Sequence, residues 1–235
     1  MRINKWLATA GLGSRRGVEE LVRQKKVKVN GETVYDLGRA VKDGDVVEVE
    51  GKEIKLREEK EYYMVYKPRG VVSSVKDPQG REVVVGMVKS KARLFPVGRL
   101  DKESEGLLIL TNDGELAFGL THPSREVEKE YVVGLRDGLS EGQMAKLRQG
   151  VRLEEGLARP VAVGGEGRRI KIVLKEGKKR EIRRMIEMVT RGKDEVIWLK
   201  RERMGELLIG EMKSGEVRKL SDEEIVGLKK IVKLK

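Results

Sequence analysis

The chain has 235 residues, 51 Lys+Arg against 39 Asp+Glu, a net charge of +12, no Cys and one His. The lack of Cys excludes disulfides, thiolate metal sites and thiol nucleophiles, and a single His122 excludes two-His zinc motifs, which leaves carboxylate, Tyr, Lys and Arg for chemistry. The length fits one or two domains, and the excess positive charge points to a polyanion, with nucleic acid ahead of an anionic membrane surface.

The first 30 residues hold eight basic and two acidic side chains; residues 31–60 hold six basic and nine acidic. One small unit therefore has a basic and an acidic half, which suggests a directed face. Ile3, Leu7 and Ala10 recur near helical spacing until Gly11-Leu-Gly13 breaks the run. Ser14 fits an N-cap for a second helix with Val18, Leu21 and Val22 as its apolar stripe. Val27-Lys-Val29 alternates like a strand, and Asn30-Gly31 predicts a tight hairpin because both turn positions need positive φ. Val46, Val47 and Val49 suggest a further strand, and the charged stretch Gly51–Glu61 reads as a linker. The expected domains are 1–58 and 59–235.

The second domain opens with Tyr62-Tyr-Met-Val-Tyr66, an apolar strand stopped by Lys67-Pro-Arg-Gly70. Gly106-Leu-Leu-Ile-Leu110 is a second buried strand, Gly114–Leu120 a short helix and Tyr131-Val-Val133 a strand. Ser140-Glu-Gly-Gln143 has a capping-box pattern for a helix to about Gln149. Short strands follow near 151–153, 161–163 and 170–174, and Ile182, Met185, Ile186 and Val189 mark a helix with one core face. Strands at 196–199 and 207–209 precede a second capping box, Ser221-Asp-Glu-Glu224, and a final helix. Many strands with scattered helices predict an α+β fold with a mixed, mostly antiparallel sheet rather than regular βαβ winding. No apolar run approaches the roughly 20 residues of a membrane span, and the N-terminus does not read as a signal peptide, so a cytoplasmic protein is expected. Seven Asn and Gln residues in all, with many charges, suggest a thermophile.

Several chemistries are missing. Gly11-Leu-Gly-Ser-Arg-Arg-Gly17 has its third Gly one residue late for a dinucleotide loop and follows no strand. There is no phosphate loop of the NTPase kind, no G-x-S-x-G elbow and no tRNA synthetase signature. What stands out is a polar loop, Arg99–Glu105, running into the buried strand Leu107–Leu110 and an Asn-Asp-Gly turn. A carboxylate at the mouth of a rigid sheet is a common place for a catalytic acid, base or nucleophile, and Arg99 would favour the ionised form of Asp101. From these residues alone, an ordinary surface Asp stays open.

Asn4-Lys-Trp-Leu7, Gly13-Ser-Arg-Arg16 and Val27-Lys-Val-Asn-Gly31 resemble the small αL RNA-binding domain attached to many RNA-modifying enzymes. Gly98-Arg-Leu-Asp101, with Gly106-Leu-Leu108 and Thr111-Asn-Asp-Gly114, is similar to the signature of the pseudouridine synthases that modify ribosomal RNA. Tyr66-Lys-Pro-Arg-Gly70, His122–Tyr131 and Gly177–Met185 resemble that family's other motifs, in order. The resemblance covers nearly the whole chain, and His122-Pro-Ser-Arg-Glu-Val127 looks most like the members that modify the large subunit.

The resemblance implies Asp101 as catalytic carboxylate, Tyr131 as the ring that stacks on the target base, and Arg183 as the cation that ion-pairs with Asp101. Arg99 is a supporting residue and Leu208 a candidate apolar wall for the flipped base. Many relatives have Gln where this chain has Glu181, which puts the hydrogen bonding there in question. RNA phosphates are expected on Lys5, Arg15, Arg16, Arg23, Lys25, Lys26 and Lys28, and on Lys178, Lys179, Arg180 and Arg184, the last group within a stretch, 166–204, of fourteen basic and seven acidic residues. His122 is read as structural. The implied reaction breaks the uridine N1–C1′ bond, turns the ring and joins C5 to C1′. As an isomerisation it needs no cofactor, metal or ATP, and a covalent or a glycal route both remain open. The expected partner is ribosomal RNA or a ribosome-assembly intermediate, with no membrane and a monomeric enzyme. The alternative is a non-catalytic RNA-binding or assembly protein that kept the fold.

Overall fold

A computed structural model describes residues 1–56, 59–193 and 195–234, in two compact units, Met1–Lys60 and Glu61–Lys235. The expected domain boundary, after residue 58, adjoins residues 57 and 58, which lie outside the described residues.

In the first unit, α1 (Ile3–Thr9) and α2 (Arg15–Arg23) precede β1 (Val27–Val29), β2 (Glu32–Thr33), β3 (Val47–Val49) and β4 (Lys52–Ile54), which form a sheet in the order β2-β1-β3-β4. Ser14 caps α2 by accepting the Gly17 N–H at 3.0 Å. Asn30 and Gly31 have φ of 52° and 82° and close the β1–β2 hairpin. Asn30 also receives the Val46 N–H and donates to Asp45, so the turn is fastened to the strand on its far side. Ile3, Leu7, Val18, Val22, Val27, Val29 and Val47 make the core. The linker expectation for Gly51–Glu61 fails at its start: Glu50 and Gly51 turn at positive φ, and Lys52–Ile54 pairs with β3. High charge misled because both long faces of an edge strand can be wet.

The second unit is built on β5 (Tyr62–Lys67), β6 (Phe95–Pro96), β7 (Glu105–Thr111), α3 (Gly114–Thr121), β8 (Lys129–Leu135), α4 (Glu141–Gln149), β9 (Val151–Leu153), β10 (Gly156–Ala158), β11 (Ala162–Glu166), β12 (Arg169–Leu174), α5 (Glu181–Thr190), β13 (Val196–Met204), β14 (Leu207–Leu208), β15 (Val217–Lys219) and α6 (Asp222–Ile231). The main sheet runs β11-β12-β8-β13-β7-β5-β15, with β6 on β7 and β14 on β13. Only β13 and β7 pair in parallel among the described strands. This is the α+β, mostly antiparallel sheet expected from the sequence.

The central strands are buried on both faces, which is why they read as apolar runs rather than alternations. Alternate residues feed two separate cores. Tyr63, Val65, Leu108 and Leu110 pack with Tyr131, α4 and α5; Tyr62, Met64, Leu107 and Ile109 pack with α3, Leu207 and α6. Both capping boxes form, at Ser140/Gln143 and Ser221/Glu224. The Asn-Asp-Gly turn after β7 is fixed by Asp113, which caps α3 through the Glu115 and Leu116 N–H groups and accepts the Tyr62 hydroxyl at 2.8 Å.

Candidate active site

The loop 99–104 leaves β6 and enters β7 on the face that carries α4 and α5. Three groups hold it, two of them on the buried residues Ser73 and Lys67. The Ser73 hydroxyl donates to the Leu100 carbonyl at 2.8 Å and accepts its N–H at 3.1 Å. The Gly70 N–H donates to the Lys102 carbonyl at 2.8 Å. The Lys67 ammonium, fully buried at the end of β5, donates to the carbonyls of Pro68 and Val71 at 2.8 and 2.9 Å and of Lys102 at 3.4 Å. Burial drags that ammonium down to about 8, against the pull of Glu103, Glu105 and Asp101. A Ser104 N–H to Asp101 carbonyl bond of 3.0 Å tightens the turn itself. The anchors come from residues up to 35 positions away, so a loop that reads as surface polar sequence is rigidly placed.

Asp101 thereby lines a cavity of about 550 Å³ with Arg99, Leu100 and Ser104 from its own loop, Tyr131 from β8, Leu174 from the end of β12, Leu199 from β13, and Gly177–Ile182 around the start of α5. Tyr131 is buried, held between Ile172 and Arg201 in the sheet register. One wall is apolar (Leu100, Leu174, Ile182, Leu199) and one rim is cationic (Arg99, Lys178, Lys179, Arg180). The arrangement offers a carboxylate, a ring and an apolar slot beside a strip that suits phosphates.

The predicted residues divide accordingly. Asp101, Arg99, Tyr131, Lys178, Lys179 and Arg180 meet at this cavity. Arg183 is not among the residues that line it, and the expected ion pair with Asp101 is absent: no N–O contact between them lies within 4.0 Å. Its guanidinium is held by backbone carbonyls instead, Val196 at 2.8 Å and Glu103 at 3.3 Å, and Nε has no partner. Burial lowers the Arg183 pKa and Arg180 adds to this, while Asp101 and Glu103 oppose it. Arg183 thus ties α5 to the Asp101 loop without touching the carboxylate.

Leu208 does not line the cavity. It is 58% exposed on the β14 hairpin, beside Leu228 and Glu224 of α6, on the other face of the sheet. The apolar wall comes instead from Leu174, Ile182 and Leu199, of which the sequence reads Ile182 as helix core and the other two as strand residues. Arg184 is turned away to Glu155, with contacts of 2.8 and 3.0 Å. In the first unit Arg15, Arg16, Arg23, Lys25, Lys26 and Lys28 are exposed and Lys5 half-buried. Arg23 pairs with Glu19 and Glu20, Lys26 with Glu50, and Lys25 lies 5.6 Å above the Tyr35 ring. His122 stacks on Phe118 at 4.7 Å and caps the turn Pro123–Arg125 through its ring nitrogen.

The family model described as RNA pseudouridylate synthase matches residues 61–188, and the S4 domain model matches residues 1–47. The ribosomal large subunit pseudouridine synthase B of Bacillus subtilis is 40% identical over 97% of this chain and 95% of its own length. The chain belongs to the RNA pseudouridine synthase family. An RNA pseudouridine synthase of Aquifex aeolicus, described as uncharacterized, is 39% identical over 99% of this chain and 98% of its own. A crystal structure of a pseudouridylate synthase superposes with a TM-score of 0.71 at 28% identity, covering 97% of this chain and 99% of that one. As a pseudouridine synthase the protein is an isomerase acting on uridine in RNA, and its first unit is an S4 RNA-binding domain.

Lys67 and Ser73 were not singled out from the sequence as functional. The signal available was Lys67 directly after five apolar strand residues, where a charge has to be buried or end the strand. In this synthase Lys67→Met should remove three bonds to carbonyls and free the Asp101 loop. A loss of about 3 kcal/mol is expected, since an abandoned buried polar contact costs on that order. Thermal unfolding measures it, and an unchanged midpoint would show that the loop does not depend on this ammonium.

Proposed function

We propose that this synthase converts a specific uridine of ribosomal RNA, in the large subunit, to pseudouridine, with Asp101 as the catalytic carboxylate. The observation that carries the reading is one cavity bringing together Asp101, Tyr131 and the cationic rim Arg99, Lys178, Lys179 and Arg180. The name of the B. subtilis relative supports ribosomal RNA and the large subunit.

In this reading the target nucleotide leaves its helix and enters the cavity, its base against the Tyr131 ring and the apolar wall, its flanking phosphates on the rim. Asp101 then supplies the electron pair, either to the sugar or base as a nucleophile or to the C2′ proton as a base. The N1–C1′ bond breaks, the freed uracil turns within the slot, and C5 bonds to C1′. The C5 proton leaves last and N1 gains one, so atoms balance without a co-reactant. Tyr131 is positioned to stack throughout the rotation. The exposed basic residues of α2 and the following strand hold more distant phosphates; Arg15, Arg16 and Lys28 have no ion pair among the described residues. A monomeric, cytoplasmic enzyme from a thermophile, free of any cofactor, completes the proposal.

Mapping pseudouridine across ribosomal RNA from cells with and without the gene tests it. One large-subunit position should lose its pseudouridine in the deletion strain and regain it on complementation. An unchanged map of both subunits would defeat the ribosomal assignment.

A further inference from the structure

Glu181 is the first residue of α5, 4% exposed, and lines the Asp101 cavity. Its Oε2 accepts the Lys178 N–H at 2.9 Å, which closes the 178–180 turn carrying three of the cationic rim residues. Its Oε1 is buried and meets no donor, and the Glu176 carboxylate is close enough to share a hydrogen bond with Glu181. No cation pairs with Glu181 within 4.0 Å among the described residues: the Lys178 ammonium is 3.0 Å from Glu176 instead. The groups around it are Glu176 and Lys178 on the same turn, Arg184 one turn along α5, Lys129 on β8, and Asp101 and Arg99 across the cavity. Arg184 is engaged by Glu155, and the Lys129 ammonium donates to the carbonyls of Val127 and Lys175. A buried carboxylate with one backbone hydrogen bond and another carboxylate in reach is a costly arrangement unless it carries a proton.

We propose that Glu181 is a positioning residue for the Asp101 cavity that works as the neutral acid: protonated, it locks the 178–180 turn and the start of α5 against the cavity, and ionised it loosens them. The inference rests on Asp101 marking the reacting centre. Burial, with Glu176 adding to it, pushes the Glu181 carboxyl up to about 7, against an ordinary 4.5. The folded chain therefore keeps a proton that the unfolded chain releases between about pH 4.5 and 7. Stability falls as pH rises through that window, and the loss is complete above pH 7. Glutamine has the same shape and no charge, so it should act as the acid form at every pH.

The test is single-turnover pseudouridine formation from pH 6 to 8.5 on protein-free ribosomal RNA from the deletion strain, with wild type, Glu181→Gln and Glu181→Ala. Thermal unfolding and ¹³C NMR of labelled glutamate carboxyls run alongside on the full chain. The wild-type rate should drop about tenfold above pH 7, as a single ionisation permits, while Glu181→Gln stays within about twofold across the range. The Ala variant should be slow at every pH. The stabilisation by Gln over wild type should grow from pH 5 to pH 8, and one carboxyl titrating near neutrality should vanish in Glu181→Gln. A Gln variant with the wild-type pH profile, or a wild type with no such carboxyl, overturns the proposal. Asp101→Asn is the control that separates the two readings: turnover in that variant defeats the site assignment, whereas an inert Asp101→Asn with a pH-insensitive wild type defeats only the role of Glu181.

Discussion

Asp101→Asn should abolish pseudouridine formation, by at least about 10³-fold in single-turnover rate, while RNA affinity stays within about twofold of wild type. The amide keeps the shape of the carboxylate but neither attacks carbon nor takes a proton. The anchors of the loop are backbone and side-chain bonds from Ser73, Gly70 and Lys67 to Leu100 and Lys102, not to the Asp101 side chain. The substitution should therefore leave the fold untouched, and unfolding curves should coincide with wild type. Residual turnover within tenfold of wild type would remove Asp101 from the chemistry.

Gly106→Ala should be severely destabilising. Gly106 lies at φ +105°, and a Cβ there would meet the Arg201 carbonyl oxygen at 2.3 Å and its nitrogen at 2.7 Å. Both obstacles are backbone of β13, in the parallel β7–β13 pairing that joins the halves of the sheet. Neither can rotate away. Left-region strain and a forced separation of the two strands together should cost about 4 kcal/mol, read as a fall in the denaturant midpoint. Because β7 begins one residue earlier and the Asp101 loop feeds it, the surviving folded fraction should also lose turnover. A variant as stable as wild type would mean that β7 and β13 can part without cost.

Arg201 shows how such a pairing hides from a sequence reading. The run Lys200-Arg-Glu-Arg203 is charged, and the sequence reading places the strand only at 196–199. Instead β13 runs on to Met204, and Arg201 is 2% exposed, with Nε donating to the Leu107 carbonyl at 2.7 Å. The small glycine opposite leaves the backbones close enough for this. Leu208 failed for the converse reason: an apolar residue late in the chain was assigned to the cavity, but the β14 hairpin turns it toward α6.

What the sequence determined by itself is the set of features that depend on neighbours a few positions apart. Ser14, Ser140 and Ser221 cap their helices, Asn30-Gly31 turns its hairpin, and the Gly98–Gly114 signature marks the loop and the family. These are short-range hydrogen bonds and steric preferences, with the pattern spelled out in adjacent residues. The tertiary structure decided which distant groups share one space. It placed Leu174, Ile182 and Leu199 rather than Leu208 beside Asp101, held Arg183 on carbonyls rather than on the carboxylate, and buried the ionisable side chains of Lys67, Glu181 and Arg201. The reason is physical: whether a side chain meets water depends on strand pairings between residues nearly a hundred positions apart, and no local pattern encodes that register.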